Sequence, residues 1–316
     1  MDFTSTIDPN DLFSAKGLVV AITGGGSGIG LAMTAALYKT GASKVYILGR
    51  RLEVLASAAS SLNPDPDQTT IVPVQCDITS PGSLSSAVAL MSQKSGYVDV
   101  LINNAGMSGP SHKPALQART IEELQAALSN GHADGSFELT FRTNTQSVAA
   151  VSTAFLPLLD AANARRGWQP GLIPLSGNRS RDTSTLSFLG FDPANDRRQS
   201  QIITTASVAA FNKQLTSGLA YSGSKAAAAH IGKMLAMLLR PWGIRSNVVA
   251  PGLYPSDMAG APDDGLSVEE VPAGRKGAVE DVAGLVLYLV GKGGAYVNGA
   301  VLLSDGGRLS GFPSTM

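Results

Sequence analysis

Short apolar runs recur along the chain, separated by longer stretches in which apolar and polar positions mix at helical spacing. Leu18-Val19-Val20-Ala21-Ile22 predicts a buried strand over 17–23, and comparable runs predict strands over 44–48, 70–75 and 98–102. Helix-like stretches over 31–40, 52–62 and 81–93 fill the intervals. Further along, the pattern predicts a helix opening at Phe141 and running towards Leu159, then a strand over 201–205. A helix from Lys225 to Arg240 follows, ended by Pro241, whose ring and missing N–H stop a helix. A strand over 244–249, a helix over 279–290 and a strand over 300–303 close the chain. Strand and helix alternate, so the expected fold is α/β, a doubly wound parallel sheet covered by helices on both faces.

Composition narrows the chemistry. Lysine plus arginine and aspartate plus glutamate both number 24, which gives no electrostatic reason to expect nucleic acid or acidic membranes as partners. Cys76 is the only cysteine, so an internal disulfide and a cysteine-ligated metal cluster are excluded. His112, His132 and His230 are too dispersed to suggest a zinc site, and no metal is expected. The first ten residues carry Asp2 and Asp8 and no apolar core of a secretory signal. No run approaches the roughly 20 apolar residues of a membrane helix. A cytoplasmic setting is expected.

Between the first predicted strand and helix lies Thr23-Gly24-Gly25-Gly26-Ser27-Gly28-Ile29-Gly30. Glycines there let the backbone approach a pyrophosphate, and the helix that follows offers free N–H groups and a positive dipole end. Strand, glycine loop, helix and strand in this order form the βαβ unit of a Rossmann-type dinucleotide site. The second strand ends in Gly49-Arg50-Arg51 with no carboxylate. An acidic residue at that point would bind a ribose 2′-hydroxyl, whereas arginine suits a 2′-phosphate, so NADP(H) is expected over NAD(H). Asp77 and Ile78 follow the third strand at its carboxyl end, where ligands bind in open α/β sheets.

Tyr221 and Lys225 stand four apart, on one face of a helix. A fixed ammonium beside a phenol favours the phenolate and makes tyrosine a usable acid near neutral pH. Together with the glycine loop, Asp77, Asn103-Asn104-Ala105-Gly106 and Ser207, in that order, this pair resembles the short-chain dehydrogenase/reductase family over residues 15–309. The resemblance implies that Asp77 bonds the adenine and that Asn104, Ala105 and Gly106 line the ribose side of the cofactor. It also implies that Asn144, Ser207, Tyr221 and Lys225 are catalytic. Ser207 would polarise a carbonyl, Tyr221 would protonate it, and Lys225 would lower the Tyr221 pKa and bond the nicotinamide ribose. Asn144 would anchor a water for proton resupply. The segment Pro251-Gly252-Leu253-Tyr254-Pro255-Ser256 is similar to the family's stretch beside the nicotinamide, with Ser256 where threonine is commoner.

The family likeness implies reduction of a ketone, or the reverse oxidation, on a small-molecule substrate of acyl or polyketide type. It also implies a homodimer or homotetramer paired through the helix after Tyr221. A non-catalytic NADP(H)-binding sensor or scaffold stays open as the alternative. The chain is read as a single domain over 1–316, with insertions at 108–135 and 161–200 and a lid over 253–276. The 161–200 insertion holds Arg165, Arg166, Arg179, Arg181, Arg197 and Arg198 at or near its length, and it is read either as lying beside the substrate cleft or as a solvent-facing elaboration.

Overall fold

A computed structural model describes residues 7–63, 69–184, 186, 196–255 and 265–316. Its strands are β1 (Val19–Thr23), β2 (Lys44–Gly49), β3 (Ile71–Gln75), β4 (Val100–Asn103), β5 (Gln201–Thr205), β6 (Arg245–Pro251) and β7 (Val301–Ser304). They form one seven-stranded sheet in the order β3-β2-β1-β4-β5-β6-β7, and every pairing is parallel. The order reverses between β1 and β4, which opens a crevice at their carboxyl ends.

The strand period of two divides the core. Val20 and Ile22 of β1 pack with Met33 and Leu37 of α2 (Gly28–Lys39), Leu55 of α3 (Leu52–Leu62) and Val282, Val286 and Leu289 of α9 (Val279–Val290). Val19 and Ala21 point the other way, into Leu84 and Met91 of α4 (Pro81–Lys94) and Val151, Phe155 and Leu159 of α7 (Ser147–Arg165). Both faces of the sheet are therefore apolar, which is why its strands read as unbroken apolar runs.

Two helices depart from the expected bounds. Helix α8 spans Leu219–Leu238, so it starts before Tyr221 and does not open at Lys225. Ser222, Gly223 and Ser224 are weak helix formers, but a Cβ at Gly223 would lie 3.2 Å from the Phe141 ring, so tertiary packing holds the helix where propensity does not. The helix expected to open at Phe141 begins earlier, as α6 (Ser136–Phe141), and passes through a π-turn over Arg142–Gln146 into α7. This run, Ser136–Arg165, is long and apolar enough to span a membrane, contrary to the sequence expectation, with a mean hydropathy of 1.2 over its best window. Half of that window is buried, against α4, α8 and the sheet, as in a core helix.

The described part of the 161–200 insertion does not lie beside the crevice. Ile173 N donates to Pro241 O at 2.9 Å and Asn163 Nδ2 to Gly243 O at 2.9 Å, at the carboxyl end of α8. That is the amino end of the sheet. There Arg166, 1% exposed, bonds Asp99 and Asp196 at 2.8 Å each, and Arg198 bonds Asp196 at 2.7 Å. Asp99 Oδ2 accepts from Val19 N, and Arg198 donates to Ser14 O and Lys16 O. The insertion thus clamps the starts of β1 and β4 through buried charges.

Candidate active site

The glycine loop connects β1 to α2 over the crevice. Gly24 has φ +68, in the left-handed region that favours glycine, and a Cβ at Gly30 would sit 2.1 Å from Gly24 O. Gly25 and Gly26 are close-packed instead, against Ile47 and Leu55. Thr34 Oγ1 donates to Gly25 O and Gly30 O, fixing the loop from below. Ser27, the N-cap of α2, makes no side-chain cap bond, and no acidic residue stands in the first turn. With Gly28 exposed and Ile29 half-buried, the helix presents bare N–H groups towards the crevice.

Arg50 and Arg51 are exposed at the end of β2, and Arg51 occupies the N-cap position of α3 without making a side-chain cap bond. Asp77 Oδ1 accepts from Thr79 N and Thr79 Oγ1, and these bonds hold its carboxyl below the usual carboxylate range, assisted by the Arg50 and Arg142 charges. Ile78 packs half-buried on the core. Asn104 serves the loop itself, because its Nδ2 donates to Thr23 O and Gly24 O. Thr23 Oγ1 accepts from Asn104 N and Ala105 N, a role that sequence reading did not assign. The hydroxyl at the last position of β1 was the available signal.

Gly106 opens the path to the chemistry. A Cβ there would stand 3.0 Å from Asn144 Oδ1 and 3.3 Å from Lys225 Nζ, so the lack of a side chain lets the backbone pass this close to both groups. Asn144 sits in the π-turn, 1% exposed. Its side chain accepts from Met107 N at 2.8 Å and donates to Met107 O at 2.9 Å and to Ser224 Oγ at 3.0 Å. Thr145 Oγ1 donates to Ser224 O, so the π-turn is stapled to α8 one residue before Lys225. π-turns recur at functional sites because they re-aim a helix locally.

Lys225 is 5% exposed and donates to Thr205 O at 2.8 Å, its one hydrogen bond among the described residues. Burial pushes its pKa down to about 8. Its Nζ lies 6.0 Å from the centroid of the Tyr221 ring. Tyr221 is partly exposed, and burial of its surroundings pushes the phenol up, opposed by a hydrogen bond with Ser207. This differs from the expectation that Lys225 depresses the Tyr221 pKa. The ammonium is turned to Thr205 O, and desolvation dominates at the phenol. Ser207 also caps the short turn Val208–Ala210, accepting from Ala209 N at 3.2 Å, and donates to Pro251 O at 3.5 Å.

Beyond β6, Gly252 is needed for packing, since a Cβ would lie 2.7 Å from Asp305 Cα. Tyr254 is 5% exposed and its hydroxyl pairs with Ser304 Oγ at 2.5 Å, so its side chain belongs to the core and not to the crevice. Ser256 lies outside the described residues, as does the middle of the expected lid. The lid's described end is tied down, with Ala273 N donating to Gly306 O and Arg308 Nη1 to Glu270 O. No cluster of metal-ligating side chains occurs among the described residues.

The arrangement fits a nicotinamide dinucleotide. The loop turns tightly enough to require glycine at Gly24 and Gly30, the helix behind it presents unpaired N–H groups with no acidic residue in its first turn, and the buried Lys225 stands close to Gly106. Comparison with known proteins agrees. The family described as short chain dehydrogenase matches residues 18–167, and that described as enoyl-(acyl carrier protein) reductase matches residues 192–308. The chain is 39% identical to the short-chain dehydrogenase/reductase PhomF of Diaporthe leptostromiformis, over 99% of each chain. It is 38% identical to the short-chain dehydrogenase/reductase VdtF of Byssochlamys spectabilis, over 97% of each. The structure of the Pseudomonas aeruginosa RhlG/NADP active-site complex superposes with a TM-score of 0.71 at 27% identity, covering 95% of this chain and 99% of that one. The chain belongs to the short-chain dehydrogenase/reductase family, nicotinamide-dependent oxidoreductases that act on CH–OH and C=O groups of small molecules.

Proposed function

We propose that the protein reduces a ketone to a secondary alcohol with NADPH, or runs the reverse oxidation, using Tyr221 as general acid and base. The observation that carries this reading is the meeting of Ser207, Tyr221 and Lys225 at the carboxyl ends of β5 and β6, with Gly106 packed close to Lys225. NADP(H) would be held by the Gly24–Gly30 loop, by Asp77 and Asn104 to Gly106, by Lys225, and by the backbone around Pro251 and Gly252. Arg50 and Arg51 would take its 2′-phosphate. Bound there in reduced form, it supplies the hydride for a carbonyl carbon. NADP in the complex of the related RhlG supports the choice of phosphate-bearing cofactor.

The protein's own groups do the rest. Ser207 Oγ donates to the carbonyl oxygen, drawing charge onto it. The Tyr221 hydroxyl gives that oxygen its proton as negative charge develops. A raised phenol pKa keeps Tyr221 protonated at neutral pH, the state that reduction requires. The Lys225 ammonium, with one of its three N–H donors on Thr205 O, steadies the phenolate that remains and orients the ribose. Asn144 holds Met107 and Ser224 in register around the pair and lies next to the route by which a proton returns.

The match of residues 192–308 to an acyl-carrier-type reductase family supports an acyl or polyketide-like ketone as substrate class. An exposed apolar ridge on α8, Met234 at 50%, Met237 at 67% and Leu238 at 62%, supports pairing into a homodimer or homotetramer. Absorbance at the NADPH band, followed across simple ketones, β-ketoacyl thioesters and aromatic polyketides, tests the activity. Consumption with at least one ketone, faster with NADPH than with NADH, is expected. Tight NADPH binding without turnover on any carbonyl would favour a sensor instead.

A further inference from the structure

Helix α8 carries Tyr221 and Lys225 but brings no cap of its own. Its N-cap is Gly218, which has no side chain to accept from the first free N–H groups. The acceptor comes from the 108–135 insertion: Leu219 N, at the first position of α8, donates to His112 Nδ1 at 3.1 Å. His112 is fully buried, and its other nitrogen, Nε2, has no hydrogen-bond partner among the described residues. A buried imidazole with one satisfied nitrogen is held for that one bond.

The rest of the insertion is arranged to present it. Gly218 lies so close beneath that a Cβ there would meet Pro110 O at 1.9 Å and His112 Nδ1 at 3.2 Å. Asn130 Nδ2 donates to Ser111 O at 2.8 Å. Gly109, at φ +67, packs against Thr140 of α6. The segment from Met107 to His112 is therefore fixed at both ends. Asn144 grips Met107 through both backbone groups, and His112 grips the start of α8.

We propose that His112 is a positioning residue: it caps α8 from the 108–135 insertion and thereby sets Tyr221 and Lys225 against Ser207 and Asn144. The inference rests on the proposed function of Tyr221. Because Nδ1 must accept, the ring holds its proton on Nε2, and only a side chain with an acceptor at the δ1 position can replace it. Asparagine places its Oδ1 there. Leucine matches the size without an acceptor, and glutamine carries its oxygen one bond further out.

The test compares wild type, H112L, H112Q and H112N, each checked for melting temperature and NADPH affinity. H112L and H112Q should lower kcat by about ten- to a hundredfold with the KM for NADPH unchanged, the scale of a slightly misplaced catalytic group. H112N should recover to within about threefold of wild type. Either of two results would overturn the proposal: H112L as fast as wild type, or H112N as slow as H112L at equal folded content. Hydrogen exchange at the Leu219 to Ser222 amides reads the cap without turnover. If wild type reduces no carbonyl, the reading of Tyr221 fails, while faster exchange in H112L and H112Q but not in H112N still marks the cap. Equal exchange in all three would refute it.

Discussion

At the carboxyl end of the sheet, Lys225 is buried with one hydrogen bond and a pKa pushed down to about 8, and Tyr221 is pushed up. At the amino end, Asp99, Arg166, Asp196 and Arg198 are just as buried and bond one another. Burial pushes the Asp196 carboxyl up, but hydrogen bonds from Arg198 and the charges of Arg166 and Arg198 outweigh it, leaving the carboxyl well below the usual range. Arg166 is likewise desolvated, yet Asp99 and Asp196 hold it firmly charged. The carboxyl end keeps the Lys225 charge underpaired, whereas at the amino end the Asp99, Arg166, Asp196 and Arg198 cluster pairs charge with charge, next to a buried Arg245 that, among the described residues, bonds only the carbonyls of Gly294 and Val297. Lys225 costs stability and remains available to a cofactor and substrate; the paired cluster locks the strand starts and offers nothing to a ligand.

That contrast is open to attack, beginning with its largest effect. Lys225→Met should cut turnover by at least about a hundredfold, yet it should stabilise the cofactor-free protein near pH 7, because a buried ammonium no longer has to be desolvated. A pKa lowered from 10.5 to about 8 corresponds to a penalty of about 3 kcal/mol. The penalty is fully present below pH 8 and relieved as pH rises towards 10.5, so the gain in melting temperature should shrink across that window. Differential scanning calorimetry of both proteins from pH 7 to 10.5 checks this. A less stable variant throughout would mean the lysine is a structural group.

At the opposite end, Asp196→Asn should cost about 3–5 kcal/mol of stability, since two buried guanidinium groups lose their shared carboxylate. Turnover per folded molecule should stay within about twofold of wild type, because the network is at the far end of the sheet. Urea melts paired with active-site titration measure both quantities. The wild-type stabilisation from Asp196 is present above the ordinary carboxylate range and is lost as pH falls through the lower folded value, so the two proteins should converge in stability at strongly acid pH.

Smaller again is the cofactor choice. Arg50→Ala should narrow the preference for NADPH over NADH by about tenfold, roughly 1.4 kcal/mol. Fluorescence titration of both cofactors reads it directly, and an unchanged ratio would move the 2′-phosphate site away from Arg50.

How far the sequence showed these two ends differs for a physical reason. Chemistry at the carboxyl end needs certain residue types at short, fixed spacings within one element: glycines between a strand and a helix, or a phenol and an amine one turn apart. The pattern from Gly24 to Gly30 and the pair Tyr221 and Lys225 are local and therefore readable. The clamp is not local. Asp99, Arg166 and Arg198 come from a strand start, a helix end and a loop, and arginines in a polar stretch look solvent-bound until the fold buries them. The expected start at Lys225 fell short of the real one for a related reason, because Gly218 and Gly223 are poor helix formers while contacts with His112 and Phe141 hold the helix there. Tyr254 was assigned to the cofactor from its place after Pro251-Gly252, whereas its partner is Ser304 of β7.

The central claim is that Tyr221 supplies the proton at the underpaired end, and single-turnover NADPH oxidation by Tyr221→Phe tests it most directly. The account predicts unchanged NADPH affinity and melting temperature, with a rate lowered at least about a hundredfold, the usual scale of a positioned general acid. A variant that keeps more than about a tenth of the wild-type rate would contradict it, because the proton would then come from another group.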